Sequence, residues 1–251
     1  MPISEQALRN REHWDRQADE YQRVHGSQLN VDELVWGNWS LPEAELGAVG
    51  DVAGLDVLEL GCGGAQWSIR LARRGARPVG LDNSERQLEH ARRLMAEAGV
   101  DFPLVHASAE AVPLPDGSFD IVLSDHGAFS WCDPRATVPE AARVLRSRGL
   151  LAFNVTSRFV AICWNWEEDR LDTGLHRPYF GLHRIDEGAG AATYNLEDGA
   201  WIDLLRRHGF AVESLLELRP PEKGTTTFDD FIPLAWARQW PGEHLWRARR
   251  L

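Results

Sequence analysis

The segment Val57-Leu58-Glu59-Leu60-Gly61-Cys62-Gly63-Gly64-Ala65 limits the fold more than any other part of this chain. A short apolar run that ends in closely spaced glycines is a buried strand entering a tight turn, where the missing Cβ atoms admit left-handed backbone and close approach of another group. Residues 66–74 then carry Trp67, Ile69 and Leu71 among arginines and stop at Gly75, which predicts a short helix with a glycine after its C-terminus. The alternation continues with a strand at 78–81 ending in Asp82, and a helix at 84–98 with Leu88, Ala91, Leu94 and Met95 at helical spacing. Strands at 102–106 and 119–124, a helix at 139–145, a strand at 149–155, a helix at 196–208 and strands at 210–218 and 244–249 complete it. Such a succession predicts an α/β fold, doubly wound on a mostly parallel seven-stranded sheet with right-handed crossovers and an antiparallel hairpin at one edge.

With 251 residues and 43% hydrophobic content, the chain can bury one large core without a second folding unit. Residues 1–50 read as an N-terminal helical cover, with a helix from Glu5 to about Arg23 followed by the aromatic-rich stretch 35–39. Residues 51–251 read as the main domain. Within it, 156–193 is rich in Trp, His, Gly and Pro and interrupts the sheet after the fifth strand, the expected place for a lid. Residues 219–242 form a long link before the last strand.

In position and composition the glycine segment resembles motif I of class I, Rossmann-like S-adenosylmethionine-dependent methyltransferases, an acidic residue followed by spaced glycines. Glu59, Gly61 and Gly63 match it, Cys62 lies between the glycines, and Ala65 replaces the third glycine. The nicotinamide pattern GxGxxG is broken by Gln66, which argues against an oxidoreductase. About twenty residues on, Gly80-Leu81-Asp82-Asn83-Ser84 puts a carboxylate at a strand tip, the spacing at which an acid accepts from both ribose hydroxyls. The resemblance implies that Asp82 and Asn83 hold the ribose, although Asp82 or Ser84 also suits a helix cap. The stretch 107–120 resembles the segment that passes the adenine, implying contacts from Ser108, Ala109 and Glu110. Ser108 stands where many relatives have aspartate, and is a neutral, weaker acceptor. Ser124 and Asp125, at the tip of the fourth strand, are implied to lie beside the methyl group. Trp14 and Tyr21 resemble the aromatic pair with which an N-terminal helix closes over the cofactor in small-molecule enzymes; the alternative is that they only pack into the core.

Methyl transfer is displacement at an activated sulfonium carbon, so alignment and water exclusion dominate and a base is needed only when the nucleophile carries a proton. His126 is the candidate base; its alternative role is to shape the pocket. His25, His176 and His183 lie in the cover segments, and none stands in metal-ligand spacing with cysteine or glutamate. A formal charge of −11 argues against nucleic acid as the partner and favours a small-molecule acceptor. No apolar run is long enough to span a membrane, and residues 1–5 lack an export pattern, so a soluble, cytoplasmic protein with three reduced cysteines is expected. Whether Trp131, Trp164, Trp166, Tyr179 and Phe180 enclose a cavity or flank a groove separates a small acceptor, for example an apolar or aromatic natural-product intermediate, from a macromolecular one. The acceptor atom (O, N, C or S) and the oligomeric state stay open, as does the alternative of an S-adenosylmethionine-binding protein of this fold that runs a non-methyl reaction or senses the ligand.

Overall fold

Seven strands form one sheet: β1 (Asp56–Leu60), β2 (Arg77–Asp82), β3 (Leu104–His106), β4 (Phe119–Asp125), β5 (Leu145–Thr156), β6 (Phe210–Leu218) and β7 (Glu243–Arg250). Their order across the sheet is β6-β7-β5-β4-β1-β2-β3. The first five are mutually parallel, and β7 runs antiparallel between β5 and β6, giving the expected edge hairpin. This computed structural model describes residues 3–251; Met1 and Pro2, which belong to the predicted cover and to the stretch read for an export signal, lie outside the described residues.

The period of two in strand side chains explains the layering. Leu58 and Leu60 of β1, Val122 of β4 and Phe153 of β5 share a core on one face of the sheet. Val57, Ile121, Leu123, Leu150 and Ala152 line the other face. Both faces are therefore covered, as a parallel sheet requires. The first core is filled by Phe129, Phe153, Trp201 and Trp246, whose ring centroids lie 4.3–6.4 Å apart. The second is filled by Trp36 and Trp67 at 4.4 Å, so the segment after the first helix packs into the main core.

Five longer helices follow local signals: α1 (Glu5–Leu29), α2 (Gln66–Arg73), α3 (Glu85–Ala98), α4 (Pro134–Val144) and α5 (Asp198–Arg207). Ser4 and Ser84 cap α1 and α3 by accepting from backbone N–H groups, and Gly99 ends α3 in the left-handed region. Three boundaries differ from expectation by more than two residues. α1 continues past Arg23 because its second half is docked, with Gln22 and Gly26 buried. α4 begins at Pro134, not Pro139, since Asp133 caps it and a proline at the first helical position gives up no needed donor. β5 begins at Leu145, directly where α4 ends. The segment 156–193 holds a short helix and two small antiparallel pairings. Among the described residues no helix is long and apolar enough to cross a membrane.

Candidate functional site

A cavity lies beyond the C-terminal ends of β1 and β4, where the strand order reverses, the usual ligand position in an open α/β sheet. Its floor is the turn after β1. Gly61 has φ +72°, and a Cβ there would stand 2.5 Å from the Ala128 backbone nitrogen, so the turns after β1 and β4 touch only because the residue is glycine. The Gly61 and Cys62 N–H groups both donate to the Leu81 carbonyl, at 2.8 and 3.0 Å. Gly63 is also left-handed, at φ +53°, and its N–H donates to Asp82 Oδ2 at 2.8 Å. Ala65, in place of the third glycine, is itself left-handed at φ +56°.

Asp82 sits at the tip of β2. Its second oxygen accepts from the Ser84 N–H at 2.8 Å. Burial raises its carboxyl above the ordinary range against the pull of these N–H groups. Each carboxylate oxygen has a lone pair to spare, so the side chain can still accept from a diol. The cap of α3 is Ser84, whose side chain accepts from the Gln87 N–H, and not Asp82. Asn83 lines the cavity and clamps the cover helix: it takes Arg11 on its side-chain oxygen at 2.9–3.0 Å and donates to the Ala7 carbonyl at 2.7 Å.

α1 roofs the cavity. Asn10, buried, donates to the carbonyls of Trp131 and Ala192 at 2.6 and 2.8 Å and accepts from the Ala192 N–H at 2.9 Å. Gln22 donates to Gln87 at 3.0 Å and accepts from Gln66 at 2.9 Å, tying α1 to α3 and α2. Trp14 meets Tyr21 edge-on at 5.2 Å and Trp131 at 4.9 Å, and all three line the cavity. His25 stacks on Phe228 at 3.9 Å, so the link 219–242 braces the far end of α1.

The opposite end holds a polar cluster. Asp125 accepts from the Gly37 N–H at 2.9 Å, from Asn154 at 2.9 Å and from the Trp67 indole at 3.4 Å. Burial pushes its carboxyl up; the charge of His126 is the main opposing influence. His126 Nε2 lies 2.5 Å from Glu243 Oε1. This pairing holds the imidazole above its ordinary range despite burial, and holds Glu243 below the usual carboxylate range. Glu59 accepts from the Ser68 N–H at 2.9 Å and hydroxyl at 2.6 Å, and burial pushes its carboxyl up to about 7. Tyr21 is likewise pushed up by burial and by Asp125.

Of the residues singled out in the sequence, Trp14, Tyr21, Glu59, Gly61, Cys62, Gly63, Asp82, Asn83, Ala109, Asp125 and His126 all line this one cavity. Ser108, Glu110 and Ser124 stand behind its wall. Ser108 accepts from the Glu110 N–H at 3.2 Å, Glu110 from the Asp133 N–H at 3.2 Å, and Ser124 donates to the Leu60 carbonyl at 2.8 Å, bracing β4 against β1. Among the aromatic residues expected around the cavity only Trp131 lines it; Trp164, Trp166, Tyr179 and Phe180 do not, and Phe180 is 80% exposed. Only the hairpin at the end of the insertion, Arg184–Gly188 with Ala191–Tyr194, packs beside α1, while Val160, Ile162 and Leu171 pack against Trp39, Ile232 and Trp236, which leaves the roof to α1 itself. Gln22, Gln87 and Glu243 were not among the expected site residues, being polar residues in helical or strand stretches with no local motif to mark them, and Gln66 drew notice only for breaking the nicotinamide pattern.

Residues 58–153 match the family described as "Methyltransferase domain". A "Ubiquinone biosynthesis O-methyltransferase" of Ruegeria sp. (strain TM1040) is 34% identical over 106 residues, 42% of this chain and 43% of that protein. A "Demethylmenaquinone methyltransferase" of Lactococcus lactis subsp. lactis (strain IL1403) is 34% identical over 113 residues, 43% of this chain and 45% of that protein. The chain thus matches less than half the length of these curated relatives. The (4+2) cyclase SpnF superposes with TM-score 0.66 at 18% identity, over 100% of this chain and 98% of that one. The strand order and these likenesses identify the Rossmann-like methyltransferase fold.

Proposed function

We propose that this chain, which carries a methyltransferase domain on the class I, Rossmann-like fold, transfers a methyl group from S-adenosylmethionine to a small-molecule acceptor. One observation carries the reading: the glycine turn and the strand-tip acid are joined, Gly63 N–H to Asp82 at 2.8 Å, at one wall of a single cavity. The donor set suits the cofactor. Glu59, Asp82 and Asp125 make a carboxylate-rich lining whose burial disfavours unpaired negative charge, so a sulfonium cation is a better occupant than an anion. When bound, the cofactor supplies an activated methyl carbon. Asp82 and Asn83 would hold the ribose, Ala109 the adenine face, and the turn at Gly61, Cys62 and Gly63 the backbone approach. Ser108 and Glu110 would act through the position of Ala109, and Ser124 through the position of Asp125. Trp14 and Tyr21 exclude water from above, and His126 accepts the acceptor's proton where there is one.

A roofed cavity and a net charge of −11 support a small molecule over nucleic acid. Cys62, Cys132 and Cys163 are free and buried, which suits a reducing compartment such as the cytoplasm. The whole-chain likeness to SpnF favours one second reading, a non-methyl reaction on the same fold. Calorimetric titration with S-adenosylmethionine, S-adenosylhomocysteine and NAD, repeated on Asp82→Ala, tests the proposal. Micromolar binding of the first two, about −8 kcal/mol, that collapses in the variant is expected. Tighter binding of NAD refutes the cofactor, and a turned-over acceptor that gains no label from methyl-labelled cofactor favours the second reading.

A further inference from the structure

Glu243 reaches the site from the start of β7 and is 2% exposed. A carboxylate so deeply buried is costly unless it is paired, and here one oxygen, Oε1, gathers three donors: His126 Nε2 at 2.5 Å, the Asn38 N–H at 2.9 Å and Asn154 Nδ2 at 3.0 Å. Gly37, at φ +72°, leaves no room for a side chain, since a Cβ would lie 2.2 Å from that oxygen. His126 is itself held in the left-handed region, at φ +51°, where a residue with a side chain is strained by about 1–3 kcal/mol. Its N–H donates to the Asn154 carbonyl at 3.1 Å, so the residue next to the ring is pinned as well. A carboxylate only accepts, so Nε2 carries the hydrogen. The ring's other nitrogen, Nδ1, has no protein partner among the described residues, and His126 lines the cavity.

Resting on the methyltransferase reading, the geometry points to Glu243 as a positioning residue that fixes the neutral His126 ring as the Nε2–H tautomer, so that Nδ1 is its basic nitrogen and general base, and to a neutral phenolic hydroxyl as the acceptor. An amine can give up its extra proton to water and bind neutral, then attack through its lone pair and shed the second proton afterwards, so it does not require a base inside the site. A hydroxyl must lose its proton as it attacks, and a phenol, with a pKa of about 10, is within reach of an imidazole. A preformed anion is disfavoured by Asp125, Glu243 and Glu59. The acceptor oxygen forms its bond to the methyl carbon as the carbon–sulfur bond breaks, the O–H electron pair stays on oxygen, and the proton passes to Nδ1. The imidazolium so formed is offset by Glu243 and gives its proton to water after the product leaves. The groups facing this end are Asp125 from β4, Glu243 and Asn154 from β7 and β5, Tyr21 from α1, Glu59 from β1 and Arg70 from α2, the last still charged at neutral pH.

The test begins without any ligand, on the full chain with ¹⁵N-labelled histidine, His126 being assigned from His126→Asn. Long-range ring spectra should show the Nε2–H tautomer above the titration midpoint, and Glu243→Gln should lower that midpoint by about one unit. With a phenolic acceptor, the rising limb of kcat against pH should move with the midpoint in Glu243→Gln, while the Kd of S-adenosylmethionine changes less than twofold. Glu243→Asp should recover part of both shifts. An Nδ1–H tautomer in the unaltered protein overturns the proposal even if Glu243→Gln does not fold, and so does a midpoint that the variant leaves in place. Labelling of amines or carbon acceptors alone overturns the phenol assignment. Failure of the methyltransferase reading shows separately, as no binding of S-adenosylmethionine with the ring spectrum as expected, and it removes the acceptor assignment with it.

Discussion

Replacing Gly61 with alanine separates two costs that a glycine turn avoids. At φ +72° an L residue gives up roughly 1–2 kcal/mol for left-handed backbone. The added Cβ would also stand 2.5 Å from Ala128 N and 2.8 Å from Gly127 Cα, backbone atoms that no rotamer change can move aside. Overpacking of this kind costs a further 1–3 kcal/mol or so, for a total of about 2–5 kcal/mol. Gly99 is the internal control: it ends α3 at φ +65° with nothing within 4 Å of its Cβ position, so Gly99→Ala should cost only about 1–2 kcal/mol. For a chain of 251 residues this corresponds to a Tm lowered by about 2–4 °C in Gly99→Ala and 4–10 °C in Gly61→Ala. Urea denaturation and calorimetry read the stability, and titration with S-adenosylmethionine reads the site. Gly99→Ala should bind as the unaltered protein does; Gly61→Ala should bind at least about tenfold more weakly, because parting the two turns moves the cavity floor. Equal destabilisation by the two substitutions would refute the close-contact argument.

Asp82→Asn keeps the shape but loses charge-assisted bonds worth about 1.5–3 kcal/mol, so cofactor affinity should fall roughly 10- to 100-fold by calorimetric titration, with a smaller change in urea midpoint. Asn10→Ala leaves the Trp131 and Ala192 carbonyls and the Ala192 N–H without their partner, and should cost about 2–4 kcal/mol while speeding amide exchange along α1. Glu59 titrates at about 7 in the fold against an ordinary value of 4.5, so the folded state binds its proton more tightly. That contribution is fully present below about pH 4.5 and is lost as pH rises through 7, about 3 kcal/mol over the interval. Glu59→Gln cannot ionise, so its stability measured by urea between pH 5 and 8 should slope less than that of the unaltered protein; parallel slopes would contradict the burial argument.

The fold was legible wherever the controlling physics is local. Short apolar runs marked the strands, glycines the turns, and the strand-tip position of Asp82 needs only a strand of known length. The Asp133-Pro134 start of α4 was also written locally, as a cap followed by a proline, although Pro139 drew the reading later. Ser108, Glu110 and Ser124 sit at the strand ends that the motifs indicate, yet their side chains satisfy backbone groups behind the wall, a choice made by which buried polar atoms need partners. The roof shows the same division. An aromatic-rich insertion looked like a lid, but shape and hydrogen bonding gave that place to α1, through Asn10 and Gln22.

Strand, turn, helix and the acid that follows were determined by the sequence itself, because each rests on backbone preferences and side-chain period within a few residues. The cluster around His126 was decided only by tertiary structure. Asn154 pairs with Leu245 and Thr156 with Glu243 in the antiparallel register of β5 and β7, and that register brings Glu243 to a histidine 117 positions earlier in the chain. The loop at Gly37 then closes over both carboxylates with its amides. Contacts at such separation arise from which strand edges are free to pair and which buried charges must find donors, and neither is encoded in a short stretch of chain.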